Sequence, residues 1–346
     1  MPQEKKSSSK ATSIRDVAEA ASVSPATVSL VLRHSSQISK ATTERVRREI
    51  ERLGYRPNPL VSALMRNRGR KGSGPMRGLP VPFILAKPAA EDGSGSHPFD
   101  AWFAGAAARA REMGFALEQI LWNPDEMSAE SLQEEMQEKR LPGFLLAGMS
   151  EGNAMRKIDW GRMVAVEVGQ MLDSPRLHRV RTAVFDATVK AIENCVDSGY
   201  GRIGVCMGEF DGRHLGSHVT GAFLLMRKRF PGLLLERVFQ GSLNDGAVAS
   251  WLDEAKPDAI IDAGNGQSVR RLLDAGAHGD IGLAALHITA PDSSVSGFFH
   301  HSAKMGEQAI DMLYRAMERN EVGVPACPMD FTFNGVWNPG ETLRRG

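Results

Sequence analysis

Residues 13–34, "SIRDVAEAASVSPATVSLVLRH", place apolar side chains at helical spacing, break that spacing once at Ala21, Ser22 and Val23, and then resume it. Ser13 stands at an N-cap with Asp16 three residues on, the spacing of a capping box, and Ile14, Val17, Ala18 and Ala21 then share one face. Ser24 caps a second helix with Pro25 at its first position, where a missing N–H leaves nothing unsatisfied. Val28 and Leu32 point inward from it, and Ala26, Thr27, Ser29, Leu30 and Arg33 are left outside. A third helix begins near Ser39, carries Val46, Ile50 and Leu53 inward, and ends at Gly54. Three short helices with so tight a turn between the first two describe a helix-turn-helix, whose second helix enters the DNA major groove.

Charge agrees with that reading. Residues 1–77 hold 16 Lys and Arg against 6 Asp and Glu, a net +10, whereas the rest of the chain holds 26 against 35, a net −9. A basic arm on a mildly acidic body is an electrostatic footprint for nucleic acid, and an anionic membrane would also suit a basic tail taken alone. The small polar outer face of the second helix decides for DNA over a plain amphipathic bundle.

At 346 residues the chain is long enough for two or three domains. No apolar run approaches the roughly 18 residues that span a bilayer, and the N-terminus "MPQEKKSSSKAT" has no apolar core of a signal peptide, so a cytoplasmic protein is expected. Cys195, Cys206 and Cys327 are far apart in apolar contexts, which suggests reduced core thiols rather than disulfides or a metal site.

"IRDVAEAASVSPATVSLVL", followed by "ISKATTERVRREIERLGYRPN", resembles the DNA-binding headpiece of the lactose and galactose repressor (LacI) family of bacterial transcription regulators, without a gap from Ser13 to Asn58. The resemblance implies that Pro25, Ala26, Thr27, Ser29 and Leu30 face the groove, with Arg33 beside them, and that Ser24, Thr42 and Tyr55 support or touch the phosphate backbone. Pro25, Ala26 and Leu30 offer no side-chain hydrogen bond, so base readout should lean on thymine methyl groups and DNA shape.

The chain before residue 13 reads as a disordered basic tail. Residues 59–78 read as a hinge helix and linker: Asn58 and Pro59 start it, Leu60, Val61, Ala63 and Leu64 form an apolar stripe, and "RNRGRKGSG" ends it. So short a helix is not stable alone and should form only against DNA and a second copy. The family's hinge reads N-x-x-A-x-x-L with its leucine wedged in the minor groove, and Leu64 falls on that leucine while Val61 replaces the usual alanine.

From about Leu79 strands alternate with helices. "LPVPFILA", "FALEQILW" and "LPGFLLAG" read as strands around the helices "FDAWFAGAAARAREMG" and "SAESLQEEMQEKR". A second run holds the strands "RIGVCMG", "LERVFQG", "PDAIIDAG" and "IGLAALHI" and the helices "ATVKAIENCVDSG", "HVTGAFLLMRKRF", "GAVASWLDEA" and "QSVRRLLDAG". The expected architecture is an N-terminal all-α helix-turn-helix domain followed by a two-lobed α/β domain, with parallel sheets covered by helices on both faces. Ligands in such folds sit beyond the carboxyl ends of the strands.

"DWGRMVAVEVG", "PRLHRV", "DSGYGRIGV", "PDAII" and "MGEQAIDML" resemble the effector domain of LacI-type regulators, which is similar to periplasmic sugar-binding proteins. That resemblance implies lobe one at about 79–180 and 296–324, lobe two at about 181–290 and 325–346, and a cleft lined by His97, Phe99, Trp102, Asp186, His218, Asn265, His287, Phe299 and His300. His218 and His287 stand where the family often has arginine and aspartate, so a cleft made cationic by protonated imidazoles and an acidic ligand are expected. Asp186 reads equally as a ligand contact or as the cap of a helix starting at Ala187, and Trp102 as core or ligand platform. His300 and His301 point to opposite sides and cannot chelate together.

No P-loop, G-x-S-x-G or H-E-x-x-H appears, so neither catalysis nor a cofactor or metal is expected. The resemblance thus implies a homodimeric transcription regulator, a repressor as is most common in such families, that binds a pseudo-palindromic DNA operator under the control of a sugar or sugar acid. The alternatives are a DNA-binding regulator with a degenerate core that binds no effector and, further off, a small-molecule enzyme.

Overall fold

The computed structural model describes residues 12–32, 35, 37–55, 79–86, 98–123, 126–138, 143–148, 157–169, 172, 174–208, 215–233, 238–243, 245–276, 280–291 and 294–344. The expected basic tail up to residue 11, the hinge with Asn58, Val61 and Leu64, and the site candidates Arg33 and His97 lie outside them.

The headpiece consists of α1 (Ile14–Ala20), α2 (Pro25–Leu32) and α3 (Lys40–Arg52). Ser13 and Asp16 close a reciprocal capping box: the Ser13 hydroxyl accepts from the Asp16 N–H, and the Asp16 carboxylate accepts from the Ser13 N–H at 2.7 Å. The turn is sharp because Ser22 takes a left-handed backbone, φ 52°. Ser39 caps α3, and the chain leaves that helix through Gly54 at φ 60°. Val17, Ala18, Ala21, Val28, Val31 and Val46 form the core, with Ile50, Leu53 and Tyr55 packed around it. The sequence pattern assigned Leu32 inward and passed over Val31; Val31 is buried and Leu32 is half-buried at the rim.

The remainder runs β1 (Leu79–Ala86), α4 (Phe99–Glu112), β2 (Phe115–Trp122), α5 (Ala129–Glu138), β3 (Gly143–Ala147), β4 (Val164–Val168), β5 (His178–Thr182), α6 (Val184–Asp197), β6 (Ile203–Met207), α7 (Gly216–Arg229), β7 (Phe239–Gln240), α8 (Asp245–Ala255), β8 (Ala259–Asp262), α9 (Gln267–Ala275), β9 (Gly282–Ile288), β10 (Ser296–Phe299), α10 (Ser302–Glu318), β11 (Asp330–Phe333) and β12 (Val336–Asn338). Two six-stranded sheets result, with orders β11-β5-β4-β3-β1-β2 and β12-β10-β9-β8-β6-β7. Every pairing is parallel except that of β10 with β12. Both faces of each sheet are apolar and covered, as a parallel sheet requires. In lobe one α4 and α10 cover one face through Trp102, Ala106, Ile310 and Leu313, and α5 covers the other through Leu132 and Met136. In lobe two α6 and α7 contribute Ile192 and Phe223 to one face, and α8 and α9 contribute Leu252 and Leu273 to the other. Where α4 crosses α10, a Cβ on Gly105 would overlap the Ala303 carbonyl and one on Gly306 the Trp102 carbonyl, so the helices meet backbone to backbone.

The expected lobe boundaries need correction. Residues 296–299 form β10 of the second sheet rather than a return to lobe one, and residues 330–333 form β11 of the first sheet rather than part of lobe two. The short connection between β9 and β10 carries no helix, which made it look like a crossover in sequence. The actual return comes one strand later, at His300 and His301, and α10 then packs on lobe one. His178 fixes β11: its Nδ1 accepts from the Met329 N–H at 3.1 Å, and its Nε2–H donates to Glu321 at 3.0 Å. Strands β4 and β5 were quoted in the sequence only as family resemblance. Cys195 and Cys206 are buried as expected, but Cys327 is exposed, because its segment "VPACP" runs over the surface before β11. No helix among the described residues is long and apolar enough to cross a membrane.

Candidate nucleic-acid interface and inter-lobe site

On α2 the residues facing away from the core are Pro25 and Ala26, which are exposed, and Thr27, Ser29 and Leu30, which are half-exposed. Ser24 holds the helix start: its Oγ accepts from the Thr27 N–H at 3.1 Å and lies 3.0 Å from Thr27 Oγ1. Thr42 plays the matching part at α3, where its N–H and Oγ1 both meet Ser39 Oγ. Tyr55 leans on the headpiece core, and partial burial pushes its hydroxyl pKa up. Arg15 on α1 and Lys40, Arg45, Arg47 and Arg48 on α3 are all exposed. A short helix with a small outer face, on a headpiece that exposes cations, can read base edges while the cations hold phosphates.

Between the lobes the sequence-derived candidates divide. Phe99 and Trp102 are buried in lobe one and meet edge to face at 5.4 Å, and Trp102 Nε1 is a buried donor without a partner. Asp186 is exposed as the third residue of α6. That helix starts at Val184, so the expectation of a cap before Ala187 does not hold, and a carboxylate here only complements the helix dipole. Asn265 Oδ1 accepts from the Gln267 N–H at 2.9 Å at the start of α9. Phe299 is half-buried with His301 edge-on at 4.7 Å.

His287 and His300 come together from the ends of neighbouring strands, ring centroids 4.7 Å apart. The His300 Nε2–H donates to the Leu286 carbonyl at 2.7 Å, which leaves Nδ1 as a lone pair. His300 Nδ1 and His287 Nε2 are buried without partners. Such atoms are each unfavourable by about 1–3 kcal/mol until something meets them.

The expected cationic cleft is not supported. Burial, and then the field of His300, holds His287 well below the ordinary histidine range; burial takes His300 down to about 4. His218 is also lowered, first by burial and then by Arg181 and Arg179, which outweigh the opposing Asp330. The imidazoles are therefore neutral near pH 7, and the positive charge beside α7 comes from arginines that sequence reasoning missed. Glu167, Arg179 and Asp330 form a row across β4, β5 and β11, in register, with Arg179 3.1 Å from Glu167 and Arg181 3.1 Å from Asp330. The signal was present: "HRVRT" puts two arginines on one face of a strand that is otherwise core.

Residues 13–58 match the family described as bacterial regulatory proteins, lacI family. These residues form a LacI-family DNA-binding domain. The chain is 29% identical over 288 residues to the HTH-type transcriptional regulator PtxS of Pseudomonas putida, across 79% of this chain and 78% of that one. Its fold is that of the lac repressor dimer bound to operator and the anti-inducer ONPF, with a TM-score of 0.59 at 18% identity over 96% of this chain and 100% of that one. The transcriptional regulator CelR in its cellobiose complex is equally similar, with a TM-score of 0.59 at 19% identity over 95% and 100% of the two chains. A chain that joins this DNA-binding headpiece to a two-lobed α/β body is a DNA-binding transcription regulator.

Proposed function

We propose that this chain is a dimeric, cytoplasmic regulator, acting as a repressor, that binds a pseudo-palindromic operator and is controlled by a hydroxyl-bearing small effector, a sugar or sugar acid, held between its lobes. Ser24, Pro25, Ala26, Thr27, Ser29, Leu30, Thr42 and Tyr55 meet DNA, together with Arg33, Asn58, Val61 and Leu64 in the segments outside the described residues. Three buried polar atoms without partners carry the effector assignment: Trp102 Nε1, His287 Nε2 and His300 Nδ1 all belong to the residues expected to line the cleft. They sit on both sides of the crossover into α10, whose Gly306 packs under Trp102. A hydroxyl group both donates and accepts, and so satisfies the indole N–H and an imidazole lone pair alike. An acidic group of the ligand belongs on the other side, where Arg181 and Arg179 set a positive field at His218. Large exposed apolar side chains at Leu121 on the edge strand β2 and at Leu224 and Leu225 on α7 supply a contact for the second copy.

Fluorescence anisotropy with a selected pseudo-palindromic duplex, combined with a thermal-shift screen of sugars and sugar acids, tests this function. Sequence-selective binding, together with a ligand that raises the melting temperature and changes operator affinity, is expected. Equal affinity for all duplexes at moderate salt would overturn the regulator assignment, and a core stabilised by no ligand would overturn the effector.

A further inference from the structure

We infer that His287 and His300 form a binding site for a borderline divalent metal ion such as zinc or nickel. His287 is the next-to-last residue of β9 and His300 directly follows β10; these strands run parallel and adjacent, with Phe299 opposite Ile288. The two imidazoles therefore leave the sheet side by side, 4.7 Å between centroids and 38° between planes. Two imidazole nitrogens bound at about 2.0–2.1 Å in neighbouring positions around one ion set their ring centres roughly 4.5–5.2 Å apart. The observed spacing lies in that range.

Each ring also presents a suitable atom. The outer Nε2–H of His300 is anchored on the Leu286 carbonyl, as in metal-binding histidines, where a second hydrogen bond fixes tautomer and ring orientation. That leaves His300 Nδ1 as a lone pair, and it is buried without a partner, as is His287 Nε2. Space beside His300 depends on Gly335, where a Cβ would stand 2.9 Å from Nδ1. No group of three or more His, Cys, Asp or Glu side chains able to hold a metal gathers among the described residues, so the protein supplies two nitrogens and exogenous ligands fill the other positions. Imidazole donors favour zinc, nickel and copper over magnesium and calcium.

The site takes two of the three nitrogen atoms assigned above to the effector, so metal and effector hydroxyl compete for the same lone pairs, and a metal titration without effector reads the site apart from operator binding. The full chain, stripped with a chelator, is titrated calorimetrically with zinc chloride and nickel chloride alone, with magnesium chloride as the control. One equivalent of zinc or nickel is expected to bind and magnesium none. His287→Gln and His300→Gln should each weaken the binding by about tenfold or more. If His300→Gln fails to fold, His287→Gln carries the comparison, because His287 is only half-buried as a residue. No zinc or nickel binding by the parent chain, or binding unchanged by His287→Gln, overturns the proposal.

Discussion

Glu167 on β4 and Arg179 on β5 stand opposite each other in register, 3.1 Å apart, with side chains only 1% and 8% exposed. The same guanidinium donates to the Leu172 carbonyl, and the Leu172 N–H donates to the other Glu167 oxygen, so the pair closes on the chain that leads into β5. Removing one partner strands a buried charge. Glu167→Ala or Arg179→Ala should destabilise lobe one by about 3–5 kcal/mol in urea unfolding, whereas replacing both by Leu and Met should recover most of that loss. Equal stability of the single and double variants would show that the pair is solvated.

The α4–α10 contact makes a sharper claim about size. Gly306→Ala sets a methyl group against the Trp102 carbonyl, and the helices must part, which should lower stability by about 1–3 kcal/mol or more. Gly221→Ala is the contrasting case, since the nearest atom to its new Cβ is Phe185 at 3.8 Å and the residue lies inside α7. Helix propensity then dominates and this variant should gain up to about 1 kcal/mol. Paired thermal unfolding curves read both signs.

His300 links stability to pH. Its folded pKa of about 4 is below the ordinary 6.5, so between those values the unfolded chain binds a proton that the folded chain refuses. Stability is therefore full above the unfolded pKa and falls as pH drops toward 4. The loss between pH 7 and pH 5 is about 2 kcal/mol from this group, and His300→Gln should flatten it. With both rings held well below the ordinary histidine range, His287 and His300 should add no pH dependence to effector affinity between about pH 7.5 and 5.5.

Operator binding should respond steeply to salt. The +10 arm exposes Arg15, Lys40, Arg45, Arg47 and Arg48, and each phosphate it neutralises releases counterions. Affinity should fall by roughly 10³–10⁵ between 50 and 200 mM salt, and Leu30→Ala should reduce preference for the selected site while leaving the headpiece folded. The same duplex tests the dimer, because Leu224→Glu should weaken binding by uncoupling two half-sites. Sedimentation of that variant alone distinguishes lost dimerisation from lost DNA contact.

The headpiece, apart from the exchange of Val31 and Leu32, was legible in the sequence because its information is local. Ser13 with Asp16, Ser24 with Pro25, and Gly54 each act within one helical turn, and the apolar period identifies the core of so small a bundle. The alternation of strands and helices beyond Leu79 was equally local, and it fixed two parallel sheets. What tertiary structure alone decided is where the chain changes lobes and what the cleft residues face. The placement of β10 beside β9 and of β11 beside β5 depends on pairing between strands distant in sequence, which periodicity does not encode. The state of His218, His287 and His300 depends on burial and on neighbours distant along the chain, as Arg179, Arg181 and Asp330 around His218 illustrate. Sequence showed that histidines replace an arginine and an aspartate; only the fold set two of them ring to ring and neutral, and put the arginines on β5, because desolvation and Coulomb fields act through space.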